Sequence, residues 1–302
     1  MKILRAGLAL SLPLAVSLAA CGSPKDAATS TAPAGGGSSM TDGVATQNTS
    51  AMKACTKDTM DTVTKGQLTI GTDNPAYPPW FIDNTPSNGK GYESAVGFEI
   101  AKQLGYADSD VKWVTVAFNN AITPGKKNFD FDLNQVSISD ERKKAVDFST
   151  GYYDVTQAVV TYKGSKVASA KSIADLKGAK LGAQVGTTSY TAITDQIKPS
   201  QQPSVFDTND LAVQALKNHQ IDGIVVDTPT AFYMTSAQLD DGVIAGQLPV
   251  VGTPEQFGAV LTKGSPLTQC VSMAVDALRK DGTLEKLQTT WLAQQGAPKL
   301  TE

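Results

Sequence analysis

The sequence is poor in histidine and cysteine, with one histidine and three cysteines among 302 residues. His219 stands in the polar stretch ALKNHQID and is expected to be solvated. A zinc site or a histidine-based triad would depend on this single residue. The scarcity therefore argues against both kinds of site, and neither a metal nor a cofactor is expected.

The chain also lacks a basic excess, a phosphate-binding loop and a long apolar run. Lysine and arginine total 26 against 29 aspartate and glutamate, which argues against nucleic acid as a partner. The turn after QVG has no Gly-Lys-Ser/Thr sequence, so it is not a P-loop. The apolar run of residues 6–16 is interrupted by Pro13 and is too short to cross a bilayer.

The N-terminal segment has the pattern of a secretory signal. Lys2 and Arg5 precede the apolar run, and LAAC at residues 18–21 resembles a lipobox, at which bacterial lipoproteins are cleaved and acylated. We expect residues 1–20 to be removed and Cys21 to carry a lipid anchor; the alternative is an ordinary signal peptide. Residues 21–54 are rich in Ala, Ser, Thr and Gly, and are expected to form a disordered tether.

Two cysteines are left if Cys21 carries lipid. Cys55 and Cys270 would then lie in an oxidising compartment, where paired cysteines favour a disulfide. The alternative is two buried free thiols. A disulfide would join the start of the fold to a helix near its end.

The region after residue 55 alternates between β-rich and helical patterns. Strands are expected at 67–73, 111–118, 157–163, 179–185, 221–227 and 257–263. Helices are expected at 94–105, 141–146, 172–178, 189–197, 209–220 and 268–294. This order predicts an α/β fold with largely parallel sheets, in which ligands bind beyond the carboxyl ends of strands.

The stretch FDFDLNQVSISDER, residues 129–142, places an arginine at the start of a short helix. Ser139 suits the cap position, whereas Arg142 adds positive charge to an already positive helix end. A guanidinium fits a carboxylate, and Ser137 offers a hydroxyl beside it. The pattern equally allows Arg142 to be a surface residue paired with a neighbouring acid.

Two further strand ends carry polar residues. Gly186, Thr187 and Thr188 lie between a strand and a helix, where free N–H groups attract anions, although Thr188 could simply be a cap. Asp227 ends the apolar strand GIVVD before Thr228 and Pro229. Asp227 either faces a cation or accepts backbone N–H groups.

The loop TDNPAYPPWFID follows the first expected strand. Asp73, Tyr77 and Trp80 could wall a pocket, with the aromatic rings stacking on a flat or cationic group, whereas Phe81 is expected in the core. Together the four strand ends offer an arginine, helix-start amides, a carboxylate and aromatic rings. Such a set suits a small zwitterion such as an α-amino acid.

At these residues the sequence resembles the family 3 extracellular solute-binding proteins, the polar amino-acid receptors of ABC importers. The segments that match in order, over residues 66–294, are LTIGTD…YPPW, VGFEIAKQLG with Glu99 as its acid, VSISDERKKAVDFSTGYY, LKGAKLGAQVGTT and LRKDGTLEKLQTTW. The resemblance implies a two-lobed, type II periplasmic-binding-protein-like α/β fold with two hinge strands. Lobe 1 would comprise 55–156 and 256–302, and lobe 2 would comprise 157–255.

Carried over by position, the resemblance implies that Arg142 binds the ligand carboxylate with Ser137 and Thr188. Asp227 would bind the ammonium, and Tyr77 would stack on the ligand. Asn134 and Gln135 replace small residues of the family pattern and could shape the side-chain pocket. TDNPAY is one residue longer than the common spacing, which leaves the contact of Asp73 open.

The resemblance implies a lipid-anchored, extracytoplasmic receptor at the cell membrane, at the cell surface or in the periplasm. It would be a monomer that passes an amino acid to an ABC transporter permease by hinge closure. The alternatives are an enzyme on the same scaffold, such as a dehydratase, and the sensing module of a separate receptor. The strand ends show no obvious acid–base pair, nucleophile or metal set, which favours binding.

Overall fold

The structure is a computed structural model, and it describes residues 55–292 and 296–302. The expected signal peptide, the acylated Cys21 and the tether lie outside the described residues. Among the residues that are described, no helix is long and apolar enough to cross a membrane.

Two five-stranded sheets, one in each lobe, organise the fold. The first has the strand order β2-β1-β3-β10-β4, and the second has the order β7-β6-β8-β5-β9. The first sheet contains β1 (Leu68–Thr72), β2 (Val111–Thr115), β3 (Phe131–Asp132), β4 (Val146–Val155) and β10 (Glu255–Thr262). The second contains β5 (Gln157–Tyr162), β6 (Leu181–Gln184), β7 (Ser204–Phe206), β8 (Gly223–Asp227) and β9 (Gly242–Gln247).

Both sheets are mixed, so the expectation of largely parallel sheets is wrong. In the first sheet β1 pairs in parallel with β2 and β3, while β10 pairs antiparallel with β3 and β4. In the second, β6 pairs in parallel with β7 and β8, while β5 pairs antiparallel with β8 and β9. The antiparallel pairs arise because the chain enters and leaves each lobe on long strands.

Seven α-helices lie among the described residues, with short 3₁₀ turns between elements. They are α1 (Tyr92–Gln103), α2 (Phe118–Ile122), α3 (Thr188–Thr191), α4 (Asn209–Lys217), α5 (Thr228–Tyr233), α6 (Thr268–Lys280) and α7 (Thr283–Trp291). Two of them continue as π-helices, α3 over Ala192–Ile197 and α5 over Met234–Gln238. The residues expected to form a helix at 141–146 instead form a 3₁₀ turn, Arg142–Lys144.

The core of the first lobe packs the helices α1, α6 and α7 against its sheet, with aromatic residues at its centre. Trp80 contacts Tyr92, Tyr153 and Phe257 with ring centroids 5.5–6.0 Å apart. The expected Cys55–Cys270 disulfide is present, with a Cα–Cα distance of 5.3 Å. It fixes the first described residue to α6.

The lobes are joined where β4 leads into β5 at Thr156 and where β9 leads back to β10. The two hinge strands of the first lobe, β4 and β10, are partners in its sheet, with Glu255 opposite Val155. Residues of both sheets thus meet beside the ends of β5 and β10.

The last residues of the chain differ from the expected lobe boundary. Although α7 packs in the first lobe, Lys299 bridges to Gln247 and Thr301 bridges to Ser172. Leu300 is buried in a core cluster of the second lobe. The chain end therefore belongs by its contacts to the second sheet, because it adds backbone hydrogen bonds along β9.

Candidate functional site

A cavity of about 70 Å³ lies where the carboxyl ends of strands from both sheets meet. Its wall contains residues that follow β1, β3, β6 and β8, in the places that the sequence predicted for ligand contacts. Among the described residues, the predicted site residues that line it are Asp73, Tyr77, Asn134, Gln135, Ser137, Arg142, Thr187, Thr188 and Asp227. Trp80 is the predicted contact that does not line it.

Arg142 is a buried cation, with 9% of its surface exposed. Its Nη1 donates to the carbonyl of Ser137 at 2.6 Å, and its Nη2 donates to the carbonyl of Gly186 at 2.7 Å. It forms no ion pair with any described carboxylate. Burial lowers its pKa, and the remaining donors of the guanidinium are open to an anion in the cavity.

Phe118 was not singled out in the sequence, yet its ring lies 5.5 Å from the Arg142 guanidinium and also lines the cavity. It begins α2 just after β2, although the sequence predicted that the strand would continue to 118. Its position beyond a strand end is the signal that could have identified it.

Hydroxyl groups from both lobes face each other beside Arg142. The Ser137 and Thr188 hydroxyls are 3.4 Å apart. Thr187 is the cap of α3, since its Oγ1 accepts from the Tyr190 N–H and donates to the Gln184 carbonyl. Thr188 is therefore not needed as the cap, and its hydroxyl, which accepts from Gln157 Nε2 at 3.5 Å, belongs to a residue that lines the cavity.

Asp227 ends β8 and its carboxylate accepts one side-chain hydrogen bond, from Gln157 Nε2 at 2.7 Å. Its side chain does not cap α5. Burial, and then the neighbouring Glu255, raise the pKa of Asp227 to about 8. A cation beside it would remove this penalty, because opposite charge stabilises a buried carboxylate.

Asp73 also faces the cavity and has no ion-pair partner among the described residues. Its carboxylate accepts the N–H groups of Asn74 at 2.7 Å and Phe118 at 3.2 Å. Burial raises the pKa of Asp73. Asp73 therefore fixes the start of α2 while leaving acceptor capacity toward the cavity.

The two amides that depart from the family pattern have different surroundings. Gln135 has a positive φ of 49°, and its N–H and side-chain amide both donate to Glu93. The Asn134 side chain is buried, and its Nδ2 has no partner. Asn134 therefore keeps both side-chain N–H groups for a ligand, whereas Gln135 has one of its two committed to Glu93.

Glu93 is a buried acid beneath the site that the sequence analysis did not single out. Because α1 begins at Tyr92, Glu93 lies in its first turn and Glu99 lies on the surface, 3.8 Å from Lys102. Glu93 also accepts from the Tyr152 hydroxyl. Burial raises its pKa to about 7.

The aromatic loop after β1 reaches across to the second lobe. The Tyr77 hydroxyl donates to Asp210 Oδ2 at 2.6 Å, and its ring lies 6.0 Å from that of Tyr233. Trp80 is 1% exposed, so it belongs to the core, and its Nε1 donates to Thr230 at 3.3 Å. Phe81 is buried in the core as expected, and it also borders the cavity.

No group of three or more His, Cys, Asp or Glu side chains suited to a metal is found in residues 55–292 and 296–302. Three acids nevertheless lie near one another in the first lobe: Asp73, Glu93 and Asp132. Asp132 is fully buried with neither oxygen hydrogen bonded. Burial and the other two acids raise its pKa well above the usual value.

Comparison with known families bears directly on this geometry. The model of the bacterial extracellular solute-binding proteins, family 3, matches residues 68–294. The chain belongs to this family. The matched residues contain every strand of both sheets, and they contain each cavity-lining residue discussed above.

Curated family 3 proteins resemble the chain over most of its length. The L-cystine-binding protein TcyJ of Escherichia coli (strain K12) is 30% identical over 230 residues, covering 75% of this chain and 83% of that protein. The ABC transporter arginine-binding protein 1 of the same strain is 29% identical, covering 72% of this chain and 88% of that protein. The chain is thus a substrate-binding protein of the ABC importer type.

Among solved structures, an ancestral arginine-binding protein bound to glutamine is 30% identical, with a TM-score of 0.63. The alignment covers 76% of this chain and 100% of the ancestral protein. The ancestral amino acid-binding protein AncCDT-1, a precursor of cyclohexadienyl dehydratase, is also 30% identical, with a TM-score of 0.60 and coverages of 74% and 94%. The two-lobed α/β fold agrees with these family members.

Proposed function

We propose that this protein captures a polar α-amino acid between its lobes and delivers it to an ABC transporter permease. One observation carries the proposal: Arg142 and Asp227 line the same cavity, and neither has an ion-pair partner among the described residues. A ligand with a carboxylate and an ammonium group would neutralise both.

In this proposal the open donors of Arg142 bind the ligand carboxylate, with the hydroxyls of Ser137 and Thr188 beside it. These groups come from different lobes, so a bound carboxylate would favour the closed arrangement. Asp227 binds the α-ammonium. The relatives named for cystine and arginine, and the ancestral arginine-binding protein bound to glutamine, support an amino-acid ligand of this kind.

The side chain of the ligand would lie toward the first lobe. Asp73 and the unpartnered Asn134 amide line that part of the cavity, so they would contact polar groups. The ring of Tyr77 and that of Phe118 would border the ligand. The Tyr77 hydroxyl would remain on Asp210 rather than bind the ligand.

A ligand panel tests the proposed function. Thermal-shift assays and calorimetry against the common amino acids should find at least one that stabilises the protein. For that amino acid, the deaminated acid and the decarboxylated amine should each bind far more weakly, because each leaves one charge unpaired. Stabilisation by sugars or metal ions alone would contradict the proposal.

We also propose that the protein is not an enzyme. The cavity wall contains no histidine or cysteine among the described residues, and it contains both carboxylates and an arginine, as binding of a zwitterion requires. The kinship with AncCDT-1 makes a lyase the alternative to test. Mass spectrometry should recover the bound amino acid unchanged after prolonged incubation, whereas a dehydrated product would show an enzyme.

For its location, we propose a monomer anchored at the outer face of the cell membrane through an acylated Cys21. The LAAC pattern supports this assignment. Labelling cells with a fatty-acid analogue should mark the wild type and leave a Cys21→Ser variant unlabelled. Equal labelling, or no labelling of either, would contradict the anchor.

A further inference from the structure

Gln157 links the second lobe to a hinge strand at the proposed ammonium site. It is the first residue of β5, and its Nε2 donates to Asp227 Oδ1 at 2.7 Å and to Glu255 Oε2 at 3.2 Å. Its Oε1 accepts from the Ser189 hydroxyl at 2.7 Å. The Thr188 hydroxyl is a third and more distant acceptor of this amide, at 3.5 Å. Because a side-chain amide has two N–H groups, Gln157 can donate to both of the nearer acceptors, the two carboxylates, at the same time.

Glu255 is the first residue of β10, the strand by which the chain returns to the first lobe. Its second oxygen, Oε1, is buried and has no hydrogen-bond partner in the described part of the chain. It takes part in none of the ion pairs found there. A hinge strand therefore places an unpaired negative group beside Asp227, behind the cavity wall.

We infer that Glu255 is a positioning residue for ammonium capture. Through the Gln157 amide it fixes the orientation of the Asp227 carboxylate, and it adds a second negative charge to the ammonium site from the hinge. This inference rests on the proposed function. It assigns a role to a residue that does not itself line the cavity.

The charges around Asp227 and Glu255 explain why a ligand cation would stabilise these two carboxylates. The negative charges of Glu255 and Glu93 raise the pKa of Asp227, and the positive charge of Arg142 lowers it. The charge of Asp227 in turn raises the pKa of Tyr153. Arg142 alone is basic, and its guanidinium donates to carbonyls rather than to either acid. Two carboxylates that share one amide repel each other until a cation or a proton arrives.

If Glu255 has this role, amino-acid affinity should depend on pH, in a direction set by the protonation of Asp227. Its pKa of about 8 means that the carboxyl is mostly protonated at pH 7 in the empty cleft. An ammonium requires the carboxylate, so binding would release a proton below this pH. Affinity should rise with pH and level off above about 8. Without the like charge of Glu255, this inflection should move to lower pH.

The variant that tests this role is Glu255→Gln, which keeps the shape and can still accept from Gln157. Asp154→Asn is the matched control, because Asp154 lies on the neighbouring hinge strand and bonds Gln256 at 2.6 Å without touching Gln157. Calorimetry from pH 5.5 to 9, with the amino acid found in the panel, should show the E255Q inflection lower by on the order of one pH unit. The D154N profile should superpose on that of the wild type.

Three further measurements bear on the outcome. Glu255→Asp retains the charge, so its inflection should return toward the wild-type value even if affinity falls. Wild-type binding at pH 7, compared in buffers of different ionisation enthalpy, should release close to one proton for the ligand bound. Deaminated acids, which lack the ammonium, should show no such inflection in any variant.

The results separate this inference from the proposed function. Amino-acid binding by the wild type with identical inflections in wild type and E255Q would overturn the role of Glu255 and leave the function standing. Equal shifts in E255Q and D154N would also overturn it, since they would show a general charge effect. Release of no proton by the wild type would overturn it even if E255Q failed to fold. A wild type that binds no amino acid would overturn both proposals.

Discussion

Arg142 brings a full positive charge into a buried position where its guanidinium donates to two carbonyl groups and lies over the Phe118 ring, with no carboxylate paired to it among the described residues. A chain gains nothing in folding stability from leaving a buried guanidinium unpaired. The same residue gains much from a planar anion, because two parallel charge-assisted hydrogen bonds can form. Arg142 is therefore better explained by binding than by folding.

Replacing Arg142 with alanine should lower amino-acid affinity by about 100-fold or more, since a carboxylate would be left without its charged partner. The affinity of Arg142→Lys should fall between those of the wild type and Arg142→Ala, because lysine keeps the charge but loses the planar guanidinium that can donate two parallel hydrogen bonds. Lys143→Ala, at the exposed neighbouring position, is the control and should bind normally. Near-normal affinity of R142A in calorimetry would reject the assigned carboxylate site.

Asp227→Asn tests the opposite end of the ligand. It should weaken amino acids by on the order of 10- to 100-fold, because it removes the charge that faces the ammonium. Deaminated acids should lose much less, as they make no contact that depends on this charge. Equal losses for both ligand classes in calorimetry would remove Asp227 from the ammonium site.

At the residue scale, the sequence could identify polar groups at the end of an expected strand, such as Thr188 and Asp227. It could also identify Arg142 and Ser137, because an arginine is out of place at the start of a short helix. All four line the cavity. Trp80 was misplaced because a loop residue can turn to either side, and here packing against three rings holds it in the core. The contribution of Glu255 depends on a contact 98 residues away, which no local pattern reports.

At the scale of elements, the strands that the sequence did not predict are β3, β4, β7 and β9, and of these β3 and β4 lack a regular apolar alternation of their own. β4 alternates irregularly because part of it faces helix α6 and part of it forms the hinge. β3 has two residues and is defined by its neighbours β1 and β10. Their partners in the sheet, rather than their composition, make these segments strands.

The Cys55–Cys270 bond closes a loop with a sequence separation of 215 between its two ends, so its loss should destabilise the first lobe. The double variant Cys55→Ala/Cys270→Ala should lose about 2–4 kcal/mol of unfolding free energy in urea. Ligand affinity should be nearly unchanged at temperatures where the variant is folded, because neither cysteine lines the cavity. A large loss of affinity with normal stability would contradict this separation.

The contact of Tyr77 with Asp210 joins a loop of the first lobe to α4 of the second. Tyr77→Phe should remove one cross-lobe hydrogen bond and keep the ring. We expect ligand dissociation to accelerate by on the order of 10-fold or more, since a hydrogen bond to a charged group contributes about 1.5–3 kcal/mol net of exchange with water. Stopped-flow measurements check it, and an unchanged rate would show that the bond does not stabilise closure.

At the scale of the whole molecule, the buried acids make stability depend on pH. The pKa values of Asp227 and Glu93 are raised to about 8 and 7, and burial raises the pKa of Asp132 well above its usual value. A raised pKa in the folded chain gives stability that is fully present below the unfolded pKa and is lost as pH rises through the folded value. The empty protein should thus be more stable at pH 5.5 than at pH 8.5.

Urea unfolding across this range should show a decrease of roughly 3 kcal/mol or more toward the alkaline end. Asp132→Asn should flatten the curve and raise stability at pH 8.5 by about 1–3 kcal/mol, because an unpaired buried carboxylate is removed. Asp108→Asn, at an exposed position, is the control and should follow the wild type. A wild-type curve that rises with pH would contradict the assignment.

The attachment of the chain end to the second lobe has a practical consequence for optical sensing. Because Lys299 and Thr301 pair with that lobe, a fluorescent protein fused after Glu302 would report its position, even though the preceding helix belongs to the first lobe. A second fluorophore on an exposed residue of α1 would then give an energy-transfer signal that changes with hinge angle. The fold thus offers a ready-made attachment point for an amino-acid sensor.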